Sequence, residues 1–158
     1  MCEYGQRDEK RASKVFTFTF CPYFAFMAFN KHFNNELSVL IYADRERILD
    51  VLDNLLSNAM KYSYEGATIV INTSLAEDEL IIEFKDEGLG LSEEDMKKLF
   101  TKFAKLSAIP TAHEKSYGLG LFIVKMLVES HKGKVWAESE GKNFGSSFFI
   151  SLPTYKQG

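Results

Sequence analysis

Residues 54 to 62 read Asn-Leu-Leu-Ser-Asn-Ala-Met-Lys-Tyr and set a polar row beside an apolar one. On a helix, Asn54 and Asn58 stand one turn apart on one face, with Lys61 and Tyr62 a turn later. Leu52, Leu55, Leu56 and Ala59 recur at helical spacing alongside. Neutral amide oxygens suit a magnesium ion that keeps its other bonds for phosphates and water. A lysine one turn on can face anionic oxygen. A plain amphipathic helix with its polar side in water has the same pattern, so the row alone does not decide.

Two glycine motifs lie downstream. Leu80, Ile82 and Phe84 alternate with more polar neighbours, which predicts a strand with one buried face. That strand runs into Asp86-Glu87-Gly88-Leu89-Gly90. A carboxylate there can accept a hydrogen bond from an exocyclic amine, and the glycines let a flat ring approach the backbone. An ordinary turn would read the same way. Gly118-Leu119-Gly120-Leu121 then leads into the apolar run Phe122 to Val128. Free N–H groups at such a helix start can bind phosphate.

The elements that must position these groups follow from periodicity. A strand is predicted from Lys14 to Phe20, then a helix started by Pro22 from Tyr23 to about Asn34. Ser38 to Tyr42 reads as a short strand, and Asp44 can cap the helix that runs to about Ser63. Thr68 to Leu75 and Glu79 to Asp86 read as antiparallel neighbours joined by a turn near residues 76–78. Ser92 caps a short helix to about Phe100, and residues 103–117, with Pro110, read as a long loop. A helix from about Leu119 ends near His131, with Gly133 expected at C′. Lys134 to Ser139 and Ser146 to Leu152 finish as a hairpin. Helices on one side and strands on the other give a two-layer α/β sandwich with a mixed, mostly antiparallel sheet.

Composition narrows the classes. At 158 residues the chain suits one domain, taken as residues 14–158 after a polar tail or linker over residues 1–13. A net charge of −3 gives no nucleic-acid footprint. Cys2 and Cys21 make no disulfide framework and fit a reducing compartment. His32, His113 and His131 form no zinc spacing. The stretch Val15 to Phe29 holds six phenylalanines after three basic residues. It is too short for a membrane span and is broken by Thr17, Thr19 and Pro22. Its aromatics read as core, with a docking surface for another domain as the alternative.

Taken together, the motifs resemble the N, G1, F and G2 boxes of sensor histidine kinases, the F box being Phe100-Thr101-Lys102-Phe103. The resemblance runs from about Asp44 to Pro153 and includes residues 106–116, similar to the ATP lid of one kinase subgroup. It also takes in Trp136 to Gly141 and Gly145 to Ile150. It implies the catalytic and ATP-binding domain of the GHKL type, with the Bergerat-type fold. ATP would lie between the asparagine helix and the lid. Asp86 would accept from the adenine amine, and Gly88, Leu89 and Gly90 would leave room for the base. Tyr62 would cover the ring, although a core tyrosine reads the same. Asn58 would bind magnesium, Asn54 would help through the ion's water shell, and Lys61 would sit near the phosphates. Ser116, Tyr117, Gly118, Leu119, Gly120 and Leu121 would line the phosphate side. Phe100 and Phe103 would anchor the lid, where packing and function are hard to separate.

This chain departs from the family at named positions. Lys105 stands where many members have an arginine reaching the γ-phosphate, which keeps the charge but loses the planar fork. Ser116 and Tyr117 replace a common Gly-Thr pair. No His-Glu-x-x-Arg acceptor motif occurs, so the resemblance implies that a separate dimerisation domain carries the histidine and that a response regulator lies beyond it. The isolated chain is then expected to be a cytoplasmic monomer that binds nucleotide with little turnover. Related ATPases carry a general-base glutamate at the position of Asn54. An amide cannot serve as a base, and Asp53 is rotated by about 100° on the helix. That favours phosphotransfer over hydrolysis. An anti-sigma-type serine kinase and a non-catalytic nucleotide-binding regulatory module are the alternatives.

Overall fold

A computed structural model of the chain describes residues 14–19, 30–34, 38–107 and 118–155. The first strands are β1 (Lys14–Thr19), β2 (Asn30–Asn34) and β3 (Ser38–Ala43), followed by helix α1 (Arg45–Tyr62). Strands β4 (Thr68–Ala76) and β5 (Glu79–Asp86) lead to the short helix α2 (Glu93–Lys98). Helix α3 (Gly120–Ser130) and the hairpin β6 (Lys134–Glu138) and β7 (Ser146–Pro153) complete the described chain. Five strands form one sheet in the order β2-β4-β5-β7-β6, and β1 pairs with β3 in a separate ribbon. Within the sheet only β2 is parallel to its neighbour. The helices pack on one face, which is the two-layer sandwich expected from the sequence.

The periodicities explain the layers. In α1, Ile48, Val51, Leu52, Leu55, Leu56 and Ala59 are buried, one stripe at helical spacing. They meet Ile69 and Ile71 of β4, Leu80, Ile82 and Phe84 of β5, and Phe148, Ile150 and Leu152 of β7. Full burial of each large side chain contributes about 1.5–3 kcal/mol. Val124 and Val128 bring α3 into the same core. Asp44 caps α1, its side chain accepting from the N–H groups of Glu46 and Arg47 at 3.0 and 3.3 Å. Among the described residues, no helix is long and apolar enough to cross a membrane.

Two expectations change. The helix predicted from Tyr23 to about Asn34 is not helical over its last residues, because Asn30–Asn34 is strand β2, in register with Thr68–Asn72. Asn-Lys-His-Phe-Asn has weak helix preference, and the open edge of β4 offers a full row of backbone partners. Residues 20–29 lie outside the described residues, as do 1–13, both cysteines and residues 108–117, which include all of the lid segment 106–116 except Leu106 and Ser107. The second change is at the end of α3. The left-handed C′ residue is Lys132, with φ +61°, and not Gly133. Lys132 N–H donates to Glu129 O at 2.9 Å and Gly133 N–H to Val128 O at 3.0 Å, a Schellman pair. Gly133 is needed for a different reason: any side chain there would strike the Ser151 carbonyl of β7.

Candidate functional site

The last turns of α1, the end of β5 and the start of β7 converge on one pocket. Asn58, Tyr62, Asp86, Gly90, Leu91, Leu106, Leu121, Ser146 and Phe148 line it. Asp86 ends β5 on its core-facing side and is only 3% exposed. Its Oδ1 accepts from the Gly88 N–H at 2.9 Å, and its Oδ2 accepts from the Ser146 hydroxyl at 2.6 Å. Burial pushes the carboxyl up from its ordinary value, and the Ser146 hydroxyl and the Gly88 and Ser146 N–H groups offset part of that. A carboxylate has about four acceptor positions, so these three donors leave capacity for one more.

The glycine loop after β5 is clamped between two backbones. Leu89 N–H donates to Tyr62 O at 2.9 Å, tying the loop to the end of α1. On its other side, Asn143 N–H donates to Leu89 O at 2.7 Å and Gly145 N–H to Gly88 O at 3.1 Å. A side chain on Gly88 would collide with the Tyr62 carbonyl, and one on Gly90 with the Gly141 carbonyl. The first requirement for glycine at these places is therefore protein packed on protein.

The polar row on α1 divides. Asn58 and Tyr62 reach the pocket, while Asn54 faces the start of α3. Asn54 Nδ2 donates to Asp50 O at 2.8 Å, and a Cβ on Gly120 would sit 2.9 Å from Asn54 Oδ1. Lys61 is half-buried on the same helix, outside the pocket lining. Asp53 is exposed and also outside the lining, as its rotation on the helix implied. Gly118 O accepts from Phe103 N–H at 3.1 Å, which joins the residues on either side of the lid segment. Leu119 opens α3 without a side-chain cap, so the first N–H groups of this helix have no intrahelical acceptor.

The two phenylalanines expected to anchor the lid differ. Phe100 packs against the core, but Phe103 is 61% exposed and left-handed at φ +61°. Lys102 Nζ lies 5.1 Å from its ring centre. Lys105 is exposed and does not line the pocket, and Ser116 and Tyr117 lie outside the described residues. Ser146, Leu91 and Phe148 line the site without having been named as site residues from the sequence, and Leu106, the first residue of the lid segment, lines it too. Ser146 had a usable signal: it falls on the inward face of β7 in phase with Phe148 and Ile150, where a buried hydroxyl needs a partner. His131 is engaged structurally. Its Nδ1 donates to Leu127 O at 2.7 Å and its Nε2 accepts from Asp44 N–H at 3.1 Å.

No group of three His, Cys, Asp or Glu able to hold a metal occurs among the described residues. Asn58 brings one neutral amide oxygen to the pocket, which fits a hard cation that keeps its other bonds for further oxygens.

The family of histidine kinase-, DNA gyrase B- and HSP90-like ATPases matches residues 43–156, and the chain belongs to it. The sensor histidine kinase WalK of Bacillus subtilis is 41% identical over 72% of this chain and 19% of its own length. The sensor protein RprX of Bacteroides fragilis is 38% identical over 74% of this chain and 23% of its own. Among solved structures, the catalytic domain of histidine kinase ThkA superposes with a TM-score of 0.65 at 30% identity, covering 79% of this chain and 77% of that one. The chain spans about a fifth of the length of the curated relatives it matches.

Proposed function

We propose that residues 14–158 are the ATP-binding catalytic domain of a sensor histidine kinase, which presents the γ-phosphate to a histidine on a separate dimerisation domain. The observation that carries this is Asp86, a buried carboxylate at the pocket floor with one acceptor position unspent. That position fits the exocyclic amine of adenine. Gly90, Leu91, Leu121 and Phe148 supply the flat apolar walls a base needs, and Tyr62 covers one side. The phosphates would then run towards Asn58, Lys61 and the first N–H groups of α3, which have no intrahelical acceptor, and Lys105, Ser116 and Tyr117 are proposed to join them. Asn58 would hold magnesium with help from Asn54, and the ion would neutralise phosphate charge and orient the chain.

Residue 54 separates kinase from hydrolase. Its amide donates back to its own helix at Asp50 and offers no base for water. The protein's part is to position the nucleotide and stabilise charge, while the attacking nitrogen comes from the partner domain. The relatives' names as sensors support a parent protein with a dimerising histidine domain and a response regulator as acceptor. The domain itself is proposed to be a cytoplasmic monomer.

Titration with a fluorescent ATP analogue, with and without magnesium, tests the binding reading. Magnesium-dependent binding that is lost in Asn58→Ala supports it, and no binding under either condition rejects it. Adding a separate acceptor domain then decides the activity. Phosphohistidine formed in trans means kinase, and none means a regulatory nucleotide-binding module.

A further inference from the structure

The described residues hold two buried carboxylates, Asp86 in the pocket and Asp95 outside it. Asp95 is the third residue of α2 and is 1% exposed. Part of its role is local. Its Oδ2 accepts from the Ser92 hydroxyl at 2.7 Å and the Ser92 N–H at 3.3 Å, closing a capping box. The rest is not. Ser107, twelve residues further on and in no helix or strand, donates its hydroxyl to Oδ2 at 2.6 Å and its N–H to Oδ1 at 2.8 Å. A capping box needs neither bond. Lys98 Nζ, 3.7 Å away and 41% exposed, adds only a screened attraction.

Ser107 directly follows Leu106, which lines the pocket with Asn58, Tyr62 and Asp86 and packs on the core. We propose that Asp95 is a positioning residue for the nucleotide site: through Ser107 it fixes the backbone that carries Leu106, so that this wall stands in place before a ligand arrives. The inference rests on the nucleotide-binding reading above. A residue in an irregular segment samples several positions unless something holds it. Apparent affinity falls in proportion to the fraction of molecules with the wall in place. Two charge-assisted bonds from one residue to a carboxylate that is itself buried suit that task. Burial pushes the Asp95 carboxyl up, but the Ser107 and Ser92 hydroxyls and N–H groups outweigh it and hold the group well below the usual carboxylate range.

The test titrates the whole 158-residue chain with a fluorescent ATP analogue and melts it without nucleotide, comparing Ser107→Ala, Ser107→Thr and Asp95→Asn. Ser107→Ala takes one donor from the buried Asp95 carboxylate but leaves it the Ser107 N–H and the Ser92 hydroxyl and N–H, so the variant is expected to fold with a modestly lower melting point yet bind about five- to tenfold more weakly. Ser107→Thr keeps the hydroxyl and is expected to bind like the unmodified chain. Asp95→Asn is expected to lose at least as much binding as Ser107→Ala. If Asp95→Asn does not fold, the serine pair decides alone. Binding by folded Ser107→Ala within about twofold of the unmodified chain would overturn the proposal, as would equal losses in Ser107→Ala and Ser107→Thr. A lower melting point in Asp95→Asn with binding unmoved in Ser107→Ala would leave Asp95 as a cap alone. Failure of the unmodified chain to bind would overturn both this proposal and the reading beneath it.

Discussion

Replacing Asp86 with asparagine separates recognition from folding, because the two effects have opposite signs. The ionised carboxylate accepts from Gly88 and Ser146 and has one acceptor position left for a ligand amine. Asparagine keeps the shape and can still accept from the Gly88 N–H. Its amide nitrogen replaces the oxygen that faces Ser146, and that hydroxyl can turn to accept. The ligand amine then meets a neutral group with fewer acceptor positions. Losing a hydrogen bond to a charged group costs about 1.5–3 kcal/mol, which is roughly 10- to 150-fold in Kd. Stability moves the other way. Burial raises the Asp86 pKa, so its contribution to stability is present below the unfolded value and is lost as pH rises through the folded one. A neutral amide at this position carries no such loss, so Asp86→Asn at neutral pH is expected to melt at or above the unmodified chain without nucleotide. Nucleotide titration and thermal melting on the same samples check both halves. Comparing ATP with GTP adds a third readout. A carboxylate repels the guanine carbonyl while an amide can donate to it, so the preference for ATP should shrink in the variant. Binding within about twofold of the unmodified chain would refute the assignment of Asp86 to the base, and a large drop in melting point would make the carboxylate structural.

Three further outcomes are expected. Phe100→Ala should destabilise by about 2–4 kcal/mol and Phe103→Ala by about 0.5 kcal/mol or less, since only Phe100 packs on the core; denaturant unfolding measures both. Lys132→Gly should stabilise by about 1 kcal/mol, because Lys132 sits in the left-handed C′ position of α3, and an unchanged unfolding midpoint would contradict that. Asp95 is held below the usual carboxylate range, so its contribution to stability is present above the unfolded value and is lost as pH falls from roughly 4. Acid unfolding followed by circular dichroism should therefore show a shallower loss in Asp95→Asn than in the unmodified chain.

Most of the architecture was legible because local rules and the fold agree here. Asp44 and Ser92 cap where short oxygen-bearing side chains precede an apolar period. The alternation in β5 matches its burial pattern throughout, and that in β4 does so as far as Thr73, beyond which Leu75 is exposed. Strand β2 was not legible, since its partner Thr68–Asn72 is distant in sequence and only backbone pairing specifies it. Phe103 also misled. The resemblance implied that it anchors the lid in apolar contacts, but the turn bonded to Gly118 holds it left-handed and outward.

The sequence by itself determined the helix that carries Asn54 and Asn58, the strand that ends at Asp86, and the glycines on either side of the lid, because each depends on neighbours a few residues away. Only the tertiary structure decided which of these groups share a pocket and which residues hold them there. Asp86 meets Ser146 across 60 residues, Leu89 is clamped between Tyr62 and Asn143, and Asp95 reaches Ser107 in an irregular segment. Each is a hydrogen bond between segments distant in sequence: the pairing of β5 with β7 sets Asp86 opposite Ser146, and the loops at that end of the sheet bring the other partners within reach.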